Sequence, residues 1–356
     1  MSYLIAIETA LPDYCHEQQD ICSFFVNATN NVTTQRKLQF LSEKSGISRR
    51  YSVLNDFNTA EENPVLFNSS LPSPLLTERM FIYKKHALNL ALKAILNINQ
   101  FSILKDSISH IITVTCTGLF APGLDIDLIR ELHLAPSVQR SSINFMGCNA
   151  AILALNAANN ICNTSPNAKV LIVCVELCTI HFQNNDTDDF ILANTLFADG
   201  AAAVIVGSQP LEQKKVKIQC FNSLIIDKGK NDMAWNISET GFIMNLTSYV
   251  SALISGNMQE FLKGIDLKKE SIDYWAIHPG GKKIIDDFAL ALELKNNELQ
   301  ASYDVLSKYG NMSSPTVLFV LKQIIESSRN APMGSKLFAA AFGPGLSIET
   351  MQLQYV

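Results

Sequence analysis

The chain has 356 residues, of which 47% are hydrophobic and 17% are charged. This composition excludes an intrinsically disordered chain and is sufficient to bury a large core. The length predicts two domains or one duplicated unit. The net charge of −5 gives no electrostatic reason to expect binding to nucleic acid or to an anionic membrane surface. Any anionic ligand would therefore have to be bound by a local group of cations.

The sequence also bears on the cellular compartment. Residues 1–7 lack the basic segment of a secretory signal, and no apolar run approaches the length that would span a bilayer. The eight cysteines have no disulfide-framework spacing, so we expect reduced thiols and a cytoplasmic protein. Cys174, Cys178 and His181 have a loosely metal-like spacing, but no fourth ligand is nearby in the sequence. Core packing is therefore expected there, and no metal site is predicted.

The first hundred residues alternate between regular elements and polar segments. The pattern predicts a strand over residues 3–9, a helix over 18–26 and another helix over 78–96. The polar, proline-containing stretch over 55–74 is expected to be a long excursion from the core.

A basic cluster lies between the first two predicted helices, in the segment 34–51. It is formed by Lys37, Lys44, Arg49 and Arg50. Taken alone, such a cluster indicates a solvated helix face more often than a binding site.

The two halves of the chain carry the same succession of elements. Residues 107–118 and 271–281 each begin with Ser-Ile, continue as a buried strand and end in a glycine turn. At nearly the same distance downstream, Gly147-Cys148 opens one helix and Gly310-Asn311 opens another, and a strand follows each helix. This order predicts an α/β fold with a duplicated βαβ-type core. The two helix N-termini would then meet near a pseudo-twofold axis.

Cys148 is the candidate nucleophile. It stands at the predicted start of an alanine-rich helix, where unpaired N–H groups and the helix dipole are expected to lower the pKa of its thiol. The alternative for an isolated Gly-Cys pair is a small buried cysteine behind a tight turn. The duplicated pattern favours the functional interpretation, because superposition of the two halves brings His278 and Asn311 to the same site.

Cysteine, histidine and asparagine at one site are suited to covalent thioester chemistry. His278 would support the thiolate while the sulfur of Cys148 accepts an acyl group. Asn311 cannot act as a base, but its amide and a histidine N–H can bind a thioester carbonyl and stabilise the enolate formed when a β-carboxylate is lost. Papain-like proteases use the same residue types, but their Cys-Gly-Ser-Cys-Trp signature is absent from the sequence.

Five motifs follow one another along the chain. They are Gly-Cys-Asn-Ala at 147–150, Leu-Phe-Ala-Asp-Gly-Ala-Ala-Ala-Val at 196–204, His-Pro-Gly-Gly at 278–281, Tyr-Gly-Asn-Met-Ser-Ser-Pro at 309–315 and Phe-Gly-Pro-Gly-Leu at 342–346. In this order and spacing they resemble the chalcone synthase-like type III polyketide synthases. The resemblance extends from Ile7 to Gln352, and the combination of motifs is highly specific.

The resemblance implies a thiolase fold with five α-β-α-β-α layers. An N-terminal half over 1–209 would carry the cysteine, and a C-terminal half over 210–356 would carry the histidine and the asparagine. It also implies a homodimeric acyltransferase that condenses malonyl-CoA iteratively onto an acyl-CoA starter, without metal, cofactor or carrier protein. By motif match, Cys148 would carry the starter and the growing chain, while His278 and Asn311 would support decarboxylation and condensation.

Further residues receive roles only through the resemblance. Phe197 matches the gatekeeper aromatic between the CoA tunnel and the cavity, although it would otherwise be interpreted as a core phenylalanine. Gly345 matches a turn that shapes the cavity, where glycine lets the backbone approach the acyl group. The positions that match CoA-binding residues are Lys37, Lys44, Gly280 and Gly281.

Several positions depart from the plant chalcone synthases. Phe40 stands in place of an arginine that contacts CoA, Met244 in place of a second gatekeeper phenylalanine, and Cys116 in place of a threonine. Ala121 replaces a methionine that reaches across the dimer, and Trp235 falls near a glycine position. The pattern resembles microbial members. Because the smaller side chains leave apolar volume unless Trp235 refills it, we predict a medium to long fatty acyl-CoA starter and an alkylpyrone or alkylresorcinol product.

Two other functions are weighed against this one. A ketoacyl-carrier-protein synthase III shares the fold and the Cys-His-Asn residue types but elongates once, on a carrier protein. The segments 312–315 and 342–345 favour the polyketide synthase. A catalytically inactive scaffold would have lost one of the three site residues, and all three are present.

Overall fold

The computed structural model describes residues 1–58, 63–67, 73–210 and 216–356. Within these ranges it contains thirteen strands and eleven α-helices. The strands are β1 Ser2–Ala10, β2 Tyr14–Glu17, β3 Arg49–Ser52, β4 His110–Thr115, β5 Gln139–Asn144, β6 Lys169–Leu177, β7 Asp199–Gly207, β8 Val216–Ile225, β9 Met233–Ser238, β10 Gly241–Leu246, β11 Tyr274–Ile277, β12 Lys336–Gly343 and β13 Ser347–Tyr355. The helices are α1 Gln18–Asn27, α2 Val32–Lys44, α3 Leu76–Leu96, α4 Phe101–Leu104, α5 Leu124–Glu131, α6 Ala150–Thr164, α7 Asp188–Leu196, α8 Val250–Gly264, α9 Lys282–Leu292, α10 Gln300–Tyr309 and α11 Thr316–Ser327.

The elements predicted for the first hundred residues are largely confirmed. β1, α1 and α3 begin and end within two residues of the predicted bounds. The predicted excursion over 55–74 falls partly outside the described residues, so its course stays a prediction.

One predicted helix start was wrong. Gly310-Asn311 does not open a helix, because α11 begins five residues after Asn311, at Thr316, with Pro315 in the N-cap position. Gly310 has a φ of +72°, and Asn311 forms an isolated parallel β-bridge with Phe197. The asparagine therefore lies in an extended segment that leads into the helix.

The main sheet has nine strands in the order β11-β12-β13-β8-β1-β7-β6-β4-β5. β4 runs parallel to both β5 and β6 in the first half, and β11 runs parallel to β12 in the second. The two halves of the sheet meet where β1 pairs with β8 over three residue pairs. The repeated strand, helix and parallel strand confirm the duplicated core.

Two helices form a central layer between the two halves of the sheet. α6 and α11 both contact strands of each half. On one face of β6, Ile172 packs in the same cluster as these helices, while Val173 on the other face packs with α3. Trp275 on β11 packs on Phe288 of α9, with ring centroids 6.2 Å apart. Helix α3 therefore covers one outer face and α9 the other, which gives the predicted five layers.

Within the described ranges, no single helix combines the length and the apolar character needed to cross a membrane. Helix α3 reaches that length and apolar composition only when it is taken together with the helical residues 101–107, and the two helical segments are bent by 95° relative to each other.

Candidate active site

Cys148 lies in the tight turn between β5 and α6. Gly147 has a φ of +88°, and a Cβ there would lie 2.1 Å from the Pro344 ring, so only glycine allows this approach. The Gly147 N–H donates a hydrogen bond to the Cys116 sulfur at 3.0 Å. The turn therefore brings Cys148 against the loop that follows β12.

The predicted low pKa of the Cys148 thiol was wrong. Burial raises the pKa of Cys148 to about 12, because the desolvation of a thiolate outweighs hydrogen bonds from the side chains of Ser313 and Asn311. The sequence also places the helix start at Cys148, whereas α6 begins two residues later, at Ala150. Cys148 is therefore a buried neutral thiol in this structure.

His278 directly follows β11, and its backbone continues the pairing of that strand with β12. Its N–H donates to the Ala340 carbonyl at 2.8 Å. The side chain is 1% exposed, and neither ring nitrogen has a hydrogen-bond partner within the described part of the chain. Burial lowers the pKa of His278 to about 3, so the imidazole is neutral at rest. A neutral ring with two unused nitrogens can accept one proton and donate another.

The Asn311 amide is fixed in one orientation. Its Oδ1 accepts the Ser313 N–H at 2.8 Å, and its Nδ2 donates to the Gly280 carbonyl at 3.1 Å. The same side chain acts on the Cys148 thiol, whose pKa it lowers. Because Gly280 follows His278 by two residues, Asn311 connects the cysteine to the histidine segment. The structure thus relates Asn311 to the Cys148 thiol and to the segment that begins at His278. The meeting of all three side chains at one site stays a prediction.

An apolar cavity of about 40 Å³ opens beside the Cys148 sulfur. Among the residues assigned from the sequence, Phe197, Cys116 and Met244 line it, together with Ser313 and Pro344. Phe197 is 6% exposed and lies at the end of α7, just before β7. It is therefore a wall residue of this cavity and not a buried strand residue.

The cavity has a wall of three aromatic rings, formed by His181, Trp235 and Phe242. Of these, the sequence analysis considered only Trp235 as a side chain that could fill the cavity. The His181 and Phe242 rings stack at 4.4 Å with an interplanar angle of 11°, and Trp235 lies edge-on to both. His181 Nε2 donates to the Thr117 carbonyl at 2.8 Å, and Nδ1 accepts the Phe242 N–H at 3.1 Å. Trp235 Nε1 donates to the Cys116 carbonyl at 2.7 Å. These hydrogen bonds hold the ring wall in place, and they assign His181 to the cavity instead of to a metal site.

A second, larger cavity of about 270 Å³ opens next to the first. Leu196 and Leu246 line it, and they stand next to or near Phe197 and Met244 of the inner cavity. The predicted residues Lys44, Gly280 and Gly281 line it as well. The neighbouring residues Leu196 and Phe197 therefore line the outer and the inner cavity, respectively.

The outer cavity also has cations that the sequence analysis missed. Lys282 and Lys283 follow the His-Pro-Gly-Gly motif and line the opening together with Lys44. Each is exposed and forms an ion pair with the aspartate four residues further along α9. Lys282 pairs with Asp286 at 2.7 Å, and Lys283 pairs with Asp287 at 2.5 Å. Lys44 forms no ion pair within the described residues. Lys282 and Lys283 could have been found from the sequence, because they directly follow the His-Pro-Gly-Gly motif.

Two members of the basic cluster are placed differently from the prediction. Lys37 is exposed and forms an ion pair with Asp188 at 2.5 Å, and it does not line the outer cavity among the described residues. Arg50 is 1% exposed and is therefore not part of a solvated face. Only part of the cluster faces the opening.

Comparison with known proteins decides the family. The family model for the N-terminal domain of chalcone and stilbene synthases matches residues 1–210 of this chain, and the model for their C-terminal domain matches residues 217–356. The chain is 33% identical over 288 residues to the alpha-pyrone synthesis polyketide synthase-like Pks18 of Mycobacterium tuberculosis, covering 78% of this chain and 72% of that relative. The chain belongs to the chalcone and stilbene synthase family.

Solved structures of type III polyketide synthases have the same fold. PKS-I from the brown alga Ectocarpus siliculosus matches with a TM-score of 0.90 at 27% identity, covering 100% of this chain and 98% of that chain. The C-terminal type III polyketide synthase domain of Steely1 from Dictyostelium matches with a TM-score of 0.89 at 28% identity, covering 100% and 99%. The protein is thus a type III polyketide synthase with the thiolase fold and an acyltransferase.

Two other residues assigned from the family, Gly345 and Ala121, are not among the described residues that line the two cavities. Gly345 has a φ of +107°, and its N–H donates to the Met233 carbonyl at 3.0 Å, so it fixes the loop whose Pro344 lines the inner cavity. Ala121 is exposed, in the segment between β4 and α5. Its predicted role at a dimer interface stays a prediction.

A buried carboxyl group lies behind the synthase cavity and was also missed. Glu176 is fully buried, and its Oε2 accepts the Cys116 N–H at 2.8 Å and the Thr117 hydroxyl at 2.8 Å. Its Oε1 accepts the Ser314 hydroxyl at 2.6 Å. Burial raises the pKa of Glu176 to about 7, and the hydrogen bonds oppose that rise. The carboxyl group thereby ties three segments of the cavity wall together.

Proposed function

We propose that this synthase loads an acyl-CoA starter onto Cys148 and extends it with malonyl-CoA by iterative decarboxylative condensation. The observation that carries the proposal is the Asn311 side chain, which donates a hydrogen bond to the Gly280 carbonyl near His278 and lowers the pKa of the Cys148 thiol. This constellation lies at a small apolar cavity behind an opening with three lysines.

The neutral groups suggest an order of proton transfers. When the thioester carbonyl approaches, the Cys148 thiol passes its proton to His278 as the sulfur–carbon bond forms, and the CoA thiolate leaves with a proton. For malonyl-CoA, loss of CO₂ leaves an enolate, whose oxygen receives hydrogen bonds from His278 and from Asn311 Nδ2. The enolate carbon then attacks the thioester carbonyl on Cys148, the carbon–sulfur bond breaks, and the released Cys148 sulfur takes up a proton. The extended chain is then on CoA and is loaded onto Cys148 again for the next cycle. Because these two donors stabilise the enolate, we propose that the reaction requires no metal or cofactor.

The finer part of the proposal concerns the starter. We propose an aliphatic, fatty acyl-CoA starter released as an alkylpyrone or alkylresorcinol, supported by the apolar cavity lining and by the alpha-pyrone synthesis in the name of the Pks18 relative. The volume argument made from Cys116, Ala121 and Met244 alone is incomplete, because the ring wall occupies part of that space. About 40 Å³ holds roughly three water molecules. A long tail therefore requires side chains such as the flexible Met244 to move.

A panel of acyl-CoA starters from acetyl to palmitoyl, each with malonyl-CoA and no carrier protein, tests the function by mass spectrometry of the products. We expect polyketide products with fatty starters and one acyl adduct on Cys148, with none in the Cys148→Ala variant. A dependence on acyl carrier protein would overturn the proposal in favour of a ketoacyl-carrier-protein synthase. A preference for coumaroyl-CoA or malonyl-CoA as the starter would overturn only the fatty chain. An adduct on Cys116 would overturn the choice of nucleophile.

We further propose a homodimer, joined through the edge of the sheet at β5. This strand is the last of the nine, and most of its residues are exposed. Met146, at the turn that follows, is 48% exposed, and Ala121 is also exposed in the segment after β4. An exposed strand edge beside apolar side chains is suited to pair with a second copy. Sedimentation of the active enzyme as a monomer at micromolar concentration would contradict this proposal.

We also propose a cytoplasmic location. All eight cysteines are free thiols in the structure, at a spacing that suits a reducing compartment. Fractionation of cells that produce the protein would test this, and recovery outside the cytoplasm would contradict it.

A further inference from the structure

Arg50 was grouped with the surface cations in the sequence, but it is buried at the end of a helix. Its NH1 donates to the Asn194 and Phe197 carbonyls, each at 2.8 Å, and its Nε donates to Gln18 Oε1 at 2.8 Å. Gln18 Nε2 in turn donates to the Thr195 carbonyl at 2.9 Å. Together, Arg50 and Gln18 satisfy three carbonyl oxygens at the C-terminus of α7, where the helix leaves its carbonyls unpaired and carries partial negative charge.

The end of α7 is connected directly to the segment that carries Asn311. The Asn311 N–H donates to the Leu196 carbonyl at 2.9 Å, and the Ala198 N–H donates to the Asn311 carbonyl at 2.9 Å. Phe197 lies between these two bonds and points into the inner cavity. These two backbone hydrogen bonds at the end of α7 therefore fix the position of Asn311 relative to Phe197.

Arg50 also contacts the segment that carries Asn311, through Gly310. A Cβ on Gly310 would lie 2.8 Å from Arg50 Cγ, so the residue before Asn311 packs directly on the arginine stem. No carboxylate lies within ion-pair distance of Arg50 among the described residues. A buried cation costs free energy unless its donors are satisfied, and here carbonyl oxygens satisfy them. The planar fork of arginine suits this arrangement, whereas a lysine head could not reproduce it.

We propose that Arg50 is a positioning residue that holds Phe197 and Asn311 in register, and that it acts on malonyl decarboxylation and not on CoA binding. This inference rests on the proposed function, in which Asn311 Nδ2 stabilises the enolate. Arg50 touches no substrate itself, and its effect reaches the reaction through the bridge between Phe197 and Asn311.

The Arg50→Lys variant tests the inference, with Arg49→Lys as the matched control on the exposed side of the same strand. We expect Arg50→Lys to lower kcat for malonyl-CoA decarboxylation by about tenfold or more, since small displacements of catalytic groups have effects of this size. The KM for malonyl-CoA and the rate of Cys148 acylation by a starter should stay close to wild type. Arg49→Lys should leave all three unchanged.

Two outcomes would overturn the inference. If Arg50→Lys raised the KM for malonyl-CoA and left kcat unchanged, Arg50 would be a CoA-binding residue. If the variant lowered the acylation rate, the decarboxylation rate and the melting temperature together, the role of Arg50 would be only structural. If Arg50→Lys does not fold, Gln18→Ala decides, because it removes the partner of Arg50 Nε and the bond to the Thr195 carbonyl but leaves Arg50 NH1 its two carbonyl partners. An unchanged decarboxylation kcat there would count against the inference.

A crystal structure of the variant separates this inference from the proposed function. We expect Asn311 Nδ2 to lose its hydrogen bond to Gly280 in Arg50→Lys, whatever reaction the wild type catalyses. An undisturbed Asn311 would refute the positioning role. A wild type that does not decarboxylate malonyl-CoA would refute the proposed function instead.

Discussion

The Asn311 side chain donates a hydrogen bond to the backbone carbonyl of Gly280, with 3.1 Å between nitrogen and oxygen. This one bond joins the segment before α11 to the segment after β11. Because Oδ1 is already occupied by the Ser313 N–H, the amide cannot flip without losing both bonds. Its second N–H remains available, and the same side chain lowers the pKa of the Cys148 thiol.

The first prediction concerns this amide. Asn311→Ala should lower kcat for malonyl-CoA decarboxylation by about a hundredfold, because one donor to the enolate oxygen is lost. Acylation of Cys148 by a starter should continue, and a stopped assay read by intact mass spectrometry measures it separately. Asn160→Ala on the surface of α6 is the control. Equal losses of acylation and decarboxylation in Asn311→Ala would contradict a role specific to the enolate.

The second prediction concerns the lysines at the outer opening. Replacement of Lys282 and Lys283 by alanine should raise the KM for acyl-CoA by about tenfold, since hydrogen bonds to charged groups are lost. The KM for the matching acyl-pantetheine thioester should not change, because it lacks the nucleotide phosphates. Lys268→Ala, another exposed lysine, serves as the control. If both thioesters lost affinity equally, the lysines would shape the opening and not bind phosphate.

The third prediction concerns the pH dependence of stability through Glu176. Its pKa of about 7 in the folded protein is above its ordinary value of 4.5, so the folded state binds the proton more tightly than the unfolded state. Its contribution to stability is therefore fully present below pH 4.5 and is lost as the pH rises through about 7. Glu176→Gln keeps an oxygen for the Cys116 N–H and should flatten this part of the profile.

Denaturant unfolding of the wild type and of Glu176→Gln between pH 5 and pH 8 measures this effect. The variant should gain stability relative to the wild type as the pH rises. Asp199 is also buried, and burial raises its pKa to about 6, so a residual slope at lower pH is expected in both proteins. A difference between the two proteins that is independent of pH would show that Glu176 is not protonated on folding.

The sequence predicted the site better where the pattern was repeated or local. Cys148 and Asn311 stand at equivalent places in two similar halves, and His278 follows a strand of the second half. The repeated pattern of buried strands and glycine turns predicts that the three side chains meet. The thiol pKa was wrong because the helix dipole is a local effect, whereas the burial that outweighs it depends on the packing of both halves. Periodicity in the four-residue strand β3 could not tell that Arg50 faces inward.

The cavity was the least predictable part. His181 follows β6, whereas Trp235 and Phe242 lie on the β9–β10 hairpin, so their contact depends on how distant segments pack. Substitutions at Cys116 and Met244 were visible in the sequence, but the volume beside them depends on rings that come from elsewhere in the chain.

The last prediction tests the limit that the ring wall sets on the starter. Trp235 lines the cavity and pairs across the hairpin with Met244. Trp235→Ala should open the cavity, so that longer acyl-CoA starters gain relative to short ones by about fourfold in kcat/KM for each additional buried methylene. Trp235→Phe keeps a ring but removes the hydrogen bond to Cys116, and it should lose about 1 kcal/mol of stability with little change in chain-length preference. Tyr249→Ala, an exposed aromatic outside the cavity, is the control. The measurement is kcat/KM across a series of saturated acyl-CoAs, and a profile in Trp235→Ala that matches the wild type would mean that the tail leaves the cavity by another side.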